Sequence, residues 1–351
     1  MDLEAFNRAY RRLKPYILMV LTQIGYTILY FITKSSFNHG MNPHVYVTYR
    51  HIVSGFATLP FAYFIERKLR LKLTLALFIE IFVLSLFGVS LTLNMYFTSL
   101  RCTSPIFLAS MVNAIPSLTF LMAILLRFEH VNIQSQKGYA KVIGTLVCLA
   151  GAITMTLYKG SKIRTLRGAI IHMHENKIKE NWLKGSILIV ASCIAWSIWY
   201  IMQAITLQKY PSQLSLTTWM SFIGAAQSAA FTLFVEHKAS AWKMKFDIDL
   251  WSTLYGGIVC SGLIVFIQLW CTKEKGPVFA TMFNPISTIL VTMLAYFVFG
   301  ENLFIGSIIG GVIVIIGLYL VLWGKENDEV GMKQQTDMKN EQQKKTSIEE
   351  P

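Results

Sequence analysis

Ten apolar runs set the terms on which this chain can fold. They lie near 16–33, 46–65, 76–97, 105–126, 138–158, 185–207, 214–235, 252–271, 277–299 and 303–323, each 18 to 23 residues long. A bilayer core about 30 Å thick needs about 20 helical residues, so every run is long enough to cross. The runs take up 212 of 351 residues, and of the 51 charged residues only Arg50, Glu80 and Lys141 fall inside them. Hydrocarbon holds no water to satisfy a backbone, so each run must make its hydrogen bonds internally, as a helix. A large soluble protein would bury one or two such runs, not ten. Charged residues make up only 15% of the chain, against about 25% in soluble domains. The expected fold class is therefore an all-α membrane protein of ten transmembrane helices, with the lipid bilayer as its surroundings.

The formal charge of +13 would suggest nucleic acid only if the basic residues shared one water-facing surface. They fall instead between the runs, and no nucleic-acid partner is expected. With the N-terminus in the cytoplasm, the inside segments carry 19 Lys and Arg and the outside loops 12, seven of them in the central loop 159–184. The sign agrees with the positive-inside rule, and the basic central loop runs against it. Both termini are expected to be cytoplasmic. Residues 1–15 form the N-terminal segment, with no signal-peptide cleavage pattern. Residues 324–351 form a tail with almost no large apolar residues, expected to be disordered. The five cysteines include no Cys-x-x-Cys pair, which indicates neither a disulfide framework nor a zinc site.

The chain repeats itself. At a shift of 172, Ser104-Pro105-Ile106-Phe107 falls on Gly276-Pro277-Val278-Phe279, Glu129 on Glu301 and Gly138 on Gly310. At a shift of 170, Thr48 falls on Thr218, Tyr30 on Tyr200 and Glu66 on Glu236. Loop insertions account for the difference between the shifts. Each copy, 16–158 and 185–323, holds five spans. An odd number means that the second copy enters the membrane inverted relative to the first. Two inverted five-helix repeats are a signature of secondary transporters, which rock about a midplane site where the copies meet.

Three stretches carry a family resemblance: Asn42–Thr74, Asn94–Glu129 and Gly262–Glu301. Their Tyr49-Arg50-His51 element, their Pro60-Phe-Ala-Tyr-Phe-Ile-Glu-Arg-Lys68 run and their Gly276-Pro-Val-Phe-Ala-Thr-Met-Phe-Asn-Pro285 run are jointly specific. The chain resembles the plant nodulin-like, walls-are-thin-related transporters, which include the UMAMIT exporters. These are ten-span members of the drug/metabolite transporter superfamily with two EamA-type repeats. The resemblance covers residues 16 to 323. It implies a plant plasma-membrane or vacuolar transporter of small organic solutes, such as amino acids or auxin-like carboxylates. One departure is Leu69-Arg70-Leu71, where the family often has Arg-Pro; it falls in a loop.

Polar residues that interrupt the runs are the candidates for a substrate cavity. The first run breaks polarity at Thr22, Gln23, Gly25 and Tyr26, and the second holds Tyr49, Arg50 and His51. An intramembrane arginine is costly, so it needs a partner or a wet cavity. Arg50 could hold a substrate carboxylate; otherwise it snorkels outward or pairs with a backbone carbonyl or Glu80. The fourth and ninth runs carry Asn113-Ala-Ile-Pro116 and Asn284-Pro285. A mid-span proline frees backbone carbonyls and an adjacent asparagine offers donors and an acceptor. Helices broken at matching places in two copies are a sequence pointer to a transport site; a packing kink is the plainer alternative. Asn94, Tyr96, Trp199, Gln203, Trp219 and Gln268 are further candidates. Gly144, Gly151, Gly306 and Gly310 mark close helix packing, within the scaffold or across a homodimer.

An enzyme is not expected. Glu80 is the only carboxylate within a run, and paired aspartates, a His-Glu-x-x-His motif and a P-loop are all missing. His172 and His174 read as solvated loop residues, so neither a metal nor any other cofactor is expected. The alternative to a transporter is a membrane receptor or scaffold that binds a small solute without moving it.

Overall fold

The computed structural model describes residues 3–67, 73–102, 111–127, 135–158, 162–163, 182–237, 239–244, 247–299, 303–306 and 308–324. Most of the basic loop 159–184, including His172 and His174, and the tail beyond Gly324 lie outside them. So do Glu129 and Glu301.

The first half holds α1 (Leu3–Asn38), α2 (Pro43–Ile65), α3, α4 (Ile115–Leu125) and α5 (Gln136–Leu157). The second holds α6 (Trp182–Lys209), α7 (Gln213–Val235), α8, α9 and α10 (Ile308–Gly324). Two helices are composite. α3 passes from Leu75–Ser85 through a π-helical stretch, Leu86–Leu91, into Thr92–Cys102. α8 does the same from Ile248–Leu254 through Tyr255–Ile264 into Val265–Lys275. α9 is split into Pro277–Met282 and Asn284–Phe299.

Local chemistry starts these helices where the sequence offers a cap. The Asn42 side chain accepts from the His44 amide at 2.9 Å, with Pro43 in the first turn. Thr74 and Ser135 cap α3 and α5 in the same way. Such caps satisfy amides that a helix leaves without an internal partner. Between α8 and α9, Gly276 adopts φ 84°, a conformation that glycine takes without a steric cost.

Six of these segments are long and apolar enough to cross a membrane. α2 and α5 are 23 and 22 residues long but carry His44, Arg50, His51, Lys137 and Lys141. Phe64 and Leu75 are 76% exposed and Phe234 is 82% exposed, as bilayer-facing side chains would be. The chain is an all-α, multi-pass integral membrane protein. Two sequence boundaries shift. α1 begins at Leu3, so residues 3–15 of the charged segment form the first turns of the same helix. α8 begins at Ile248 and brings buried Asp249 into a membrane helix, where its carboxylate accepts from Ser36 of α1 at 2.5 Å. Glu80 is thus not the only carboxylate among the helices.

The helices pair across the two halves. α2 runs antiparallel to α7: Thr48 meets Ser228 at 3.4 Å, Ser54 meets Ser221 at 2.9 Å and Thr58 meets Thr218 at 2.9 Å. At one end of this pair the Glu66 carboxylate accepts from the amides of Leu214 and Ser215, at 2.9 and 2.7 Å. At the other end Glu236 accepts from the Asn42 side chain at 2.8 Å. Each helix therefore ends in a glutamate that secures the start of its partner.

α5 and α10 are also antiparallel. A Cβ at Gly144 would meet Val321 and the Gly317 carbonyl, and one at Gly151 would meet Val314 and the Gly310 carbonyl, all within 2.9 Å. Gly306 sits against the Tyr158 carbonyl. Gly144, Gly151 and Gly310 thus bring α5 and α10 together within one chain, and Gly306 meets the residue that follows α5. A short antiparallel bridge, Lys162–Ile163 with Leu303–Phe304, continues that pairing beyond the helices and adds a strand pair to the all-α expectation. The main core gathers Met19, Ile81, Leu84, Ile115, Tyr200, Leu216, Leu269 and Phe279 from seven helices.

Candidate functional site

The breaks in the fourth and ninth spans face each other. Before α4 the chain turns at Asn113-Ala114, and Pro116 follows in its first turn. α9 turns at Phe283, with Asn284 and Pro285 opening its second piece. Thr288 of α9 donates to Asn113 Oδ1 at 2.9 Å. Neighbours support both breaks. On α6, Cys193 and Ser197 reach the carbonyls of Met111 and Ile115, each at 3.4 Å. On α1, Tyr16 packs edge-on against Phe279, and Thr27 approaches Ser287 at 3.5 Å.

A chain of uncharged groups runs through this junction. The Tyr26 hydroxyl of α1 donates to Gln268 Oε1 of α8 at 3.3 Å, and Gln268 Nε2 donates to the Tyr200 hydroxyl of α6 at 3.3 Å. Asn284 lies beside Tyr200, within electrostatic reach of its hydroxyl. The amide nitrogens of Gln23 and Asn113 are buried without a partner among the described residues. Leaving a buried donor unpaired costs about 1 to 3 kcal/mol, so both mark places where a polar solute would gain. Tyr26 and Tyr96 are half-buried.

The structure thus brings Gln23, Tyr26, Asn113, Pro116, Gln268, Asn284 and Pro285 to one junction. It places the remaining candidates elsewhere. The Tyr49 hydroxyl donates to the Trp242 carbonyl at 2.8 Å and its ring packs on Trp242, in the connection between α7 and α8. Asn94 belongs to a second network, accepting at 2.7 Å from His44 and contacting Ser228 at 3.3 Å. Trp219 is half-buried against the main core. Trp199 faces α3, where its indole lies on Gly88 of the π-helical stretch, and Gln203, one turn further along α6, is buried with neither side-chain amide atom partnered among the described residues.

Arg50 is 6% exposed, and its Nε donates to the Gly256 carbonyl at 3.1 Å and to Ser261 Oγ at 2.6 Å. Both acceptors lie in the π-helical stretch of α8. Ser261 precedes Gln268 by about two turns, or roughly 10 Å of helix. Glu80, the other partner considered for Arg50, instead pairs with Lys209 at 2.9 Å and accepts from Thr206 at 3.0 Å.

Sequence reasoning did not assign a site role to Tyr200 or Thr288. Tyr200 was visible only as the repeat partner of Tyr30, and Thr288 is one hydroxyl among many. Neither breaks a hydropathy pattern; their importance comes from what lies opposite them.

Long apolar helices, broken at matching places around buried amides and hydroxyls, define a multi-pass membrane transporter. The chain belongs to the EamA-like transporter family, whose model matches residues 13–157 and again 183–323. It is similar to WAT1-related protein At2g39510 of Arabidopsis thaliana, 40% identical over 90% of this chain and 86% of that protein. WAT1-related protein At5g13670 of the same plant is 39% identical over 95% of this chain and 92% of its own length. Protein WALLS ARE THIN 1, also from Arabidopsis thaliana, is 38% identical over 90% of this chain and 84% of its own. A solved crystal structure covers 88% of this chain and 98% of its own with a TM-score of 0.63. At 16% identity that likeness is one of fold.

Proposed function

We propose that the chain moves small organic solutes by alternating access between two inverted repeats of five spans, with both termini in the cytoplasm. The observation that carries this reading is the meeting of the two broken spans at Asn113 and Thr288. Three features support the inversion: the antiparallel α2–α7 pair with a glutamate clasp at each end, the antiparallel α5–α10 pair, and π-helical stretches inside both α3 and α8. Two copies of one unit, placed head to tail about the Ser54–Ser221 contact, give this arrangement. The family model matches once in each half, in agreement.

The solute would pass the uncharged junction of Gln23, Tyr26, Asn113, Tyr200, Gln268 and Asn284. Amino acids and auxin-like carboxylates are the substrate classes we assign, at the plasma membrane or the vacuolar membrane. Glu80 is engaged between α3 and α6, so proton coupling through it is not part of this reading; movement is facilitated or weakly coupled.

Proteoliposomes carrying the purified chain test it with labelled glutamine and indole-3-acetate. Saturable uptake of either above empty vesicles is expected. Gln268→Ala, which breaks the chain between Tyr26 and Tyr200, should lower that uptake at least several-fold with unchanged amounts of reconstituted protein. Solute binding without any flux would instead favour a receptor.

A further inference from the structure

We propose that the guanidinium of Arg50 holds a small monovalent anion between α1, α2 and α8, supplied either as the carboxylate of a solute or as chloride. The side chain carries five N–H donors, and only Nε–H is used, on Gly256 and Ser261. Among the described residues nothing hydrogen-bonds its two terminal nitrogens and no carboxylate pairs with it. The carboxylates of the described helices nearest in kind are engaged elsewhere: buried Asp249 on Ser36, buried Glu66 on the start of α7 and half-buried Glu80 on Lys209. A buried cation without a counter-charge is costly in a membrane.

The other half of the molecule shows that this charge is not needed to hold the helix. α3 contains the matching π-helical stretch, and Gln227 of α7 secures it. Gln227 Nε2 donates to the Phe82 carbonyl at 3.0 Å, and Ser90 donates to Gln227 Oε1 at 3.2 Å. Ser90 and Ser261 both lie within these stretches, although the repeat shifts place Ser90 on Cys260 or Gly262. Gln227 does not stand at Arg50's repeat position, which is Met220, yet it makes the same kind of bridge with a neutral amide. The positive charge of Arg50 is therefore surplus to its mechanical task.

The surroundings suit a small anion. Gln23 and Asn113 have sealed nitrogens with no partner, whereas the terminal nitrogens of Arg50 are not among the sealed atoms, so open space borders them. Tyr26, Tyr46 and Cys260 lie within electrostatic reach. Gly256 has no side chain where Arg50 passes: a Cβ there would come within 3.3 Å of Arg50 Cδ and collide with the Tyr46 hydroxyl. The planar guanidinium fork can present its remaining N–H groups to an anion in a bidentate geometry.

Binding is measured without transport, so the outcome is separable from that of the flux assay. The purified full-length chain in nanodiscs of zwitterionic lipid is melted in sodium chloride, sodium acetate or sodium isethionate at one ionic strength. The melting temperature of the wild type is expected to rise saturably with chloride, acetate or both. A rise with chloride alone assigns the inorganic ion, and one with acetate alone assigns a solute carboxylate. A rise with both assigns a site open to either. Arg50→Gln, which keeps an amide able to bridge α8, should abolish the saturable part, and Arg50→Lys should weaken it on the order of tenfold, because the fork is lost. The proposal is overturned by a wild type whose melting ignores chloride and acetate, or by an equal rise in Arg50→Gln. Should Arg50→Gln fail to fold, an unchanged midpoint in Arg50→Lys overturns it equally.

Discussion

The π-helical stretch of α3 is held by the neutral Gln227, and that of α8 by the cationic Arg50. The clasps on the α2–α7 pair differ in the same spirit. Glu66 is 7% exposed and takes two backbone amides directly, whereas Glu236 is only half-buried and reaches one side-chain amide. The two halves thus meet the same mechanical needs with different chemistry. The backbone plan constrains where a bridge or clasp must sit, because a π-helical turn and a helix start both expose unpaired polar groups. It does not constrain the charge of the group that answers them. A charge where a neutral group meets the same need, as at Arg50 against Gln227, is therefore where function rather than folding would leave its mark.

The largest expected effect probes the clasps. Glu66→Ala should destabilise the purified protein by about 3 kcal/mol, since two buried amides lose a charged acceptor, and Glu236→Ala by about 1 kcal/mol. Equal losses in chemical unfolding would mean that the clasps are equivalent after all. Next come the glycines of the α5–α10 pair. Gly151→Ala should cost about 2 kcal/mol, because its Cβ would press on backbone. Gly311→Ala, whose Cβ would find only Ile289 at 3.7 Å, should stay within about 0.5 kcal/mol. Thermal melts of both variants in one detergent check the contrast. The smallest effect is that of Arg50→Gln in the absence of binding anions. It should change stability by less than about 1 kcal/mol, because a neutral bridge replaces the charged one and the buried charge disappears. A loss several times larger would show that α8, unlike α3, needs the cation to keep its shape.

Much of the fold was legible before any coordinates. The spacing of the apolar runs located the helices, because hydrocarbon tolerates few other backbones. Prolines at 116 and 285 located the breaks, since neither can donate to a helix and each disfavours the helical conformation just before it. The match of Glu66 with Glu236 was visible too, although the helix starts that they secure were not. The site was legible only in part. Gln23, Asn113, Gln268 and Asn284 stood out as amides in apolar runs, and they do converge. Tyr49 and Asn94 stood out equally well and lie in other contacts, because a polar residue on a membrane helix signals a need for a partner without naming it. The glycines pointed to close packing, yet only the antiparallel α5–α10 pair showed that they meet within one chain. A homodimer would have to use other surfaces.

The sequence by itself determined that this chain crosses the membrane as helices and where two of those helices break. These follow from local rules of solvation, backbone chemistry and periodicity. Only the tertiary structure decided which buried groups face one another: that Tyr26, Gln268 and Tyr200 form one chain, and that Arg50 bridges α8 with its terminal nitrogens unpaired among the described residues. Those outcomes depend on packing angles and helix register between segments far apart in the sequence, 242 residues for Tyr26 and Gln268, and no local pattern in the sequence encodes them.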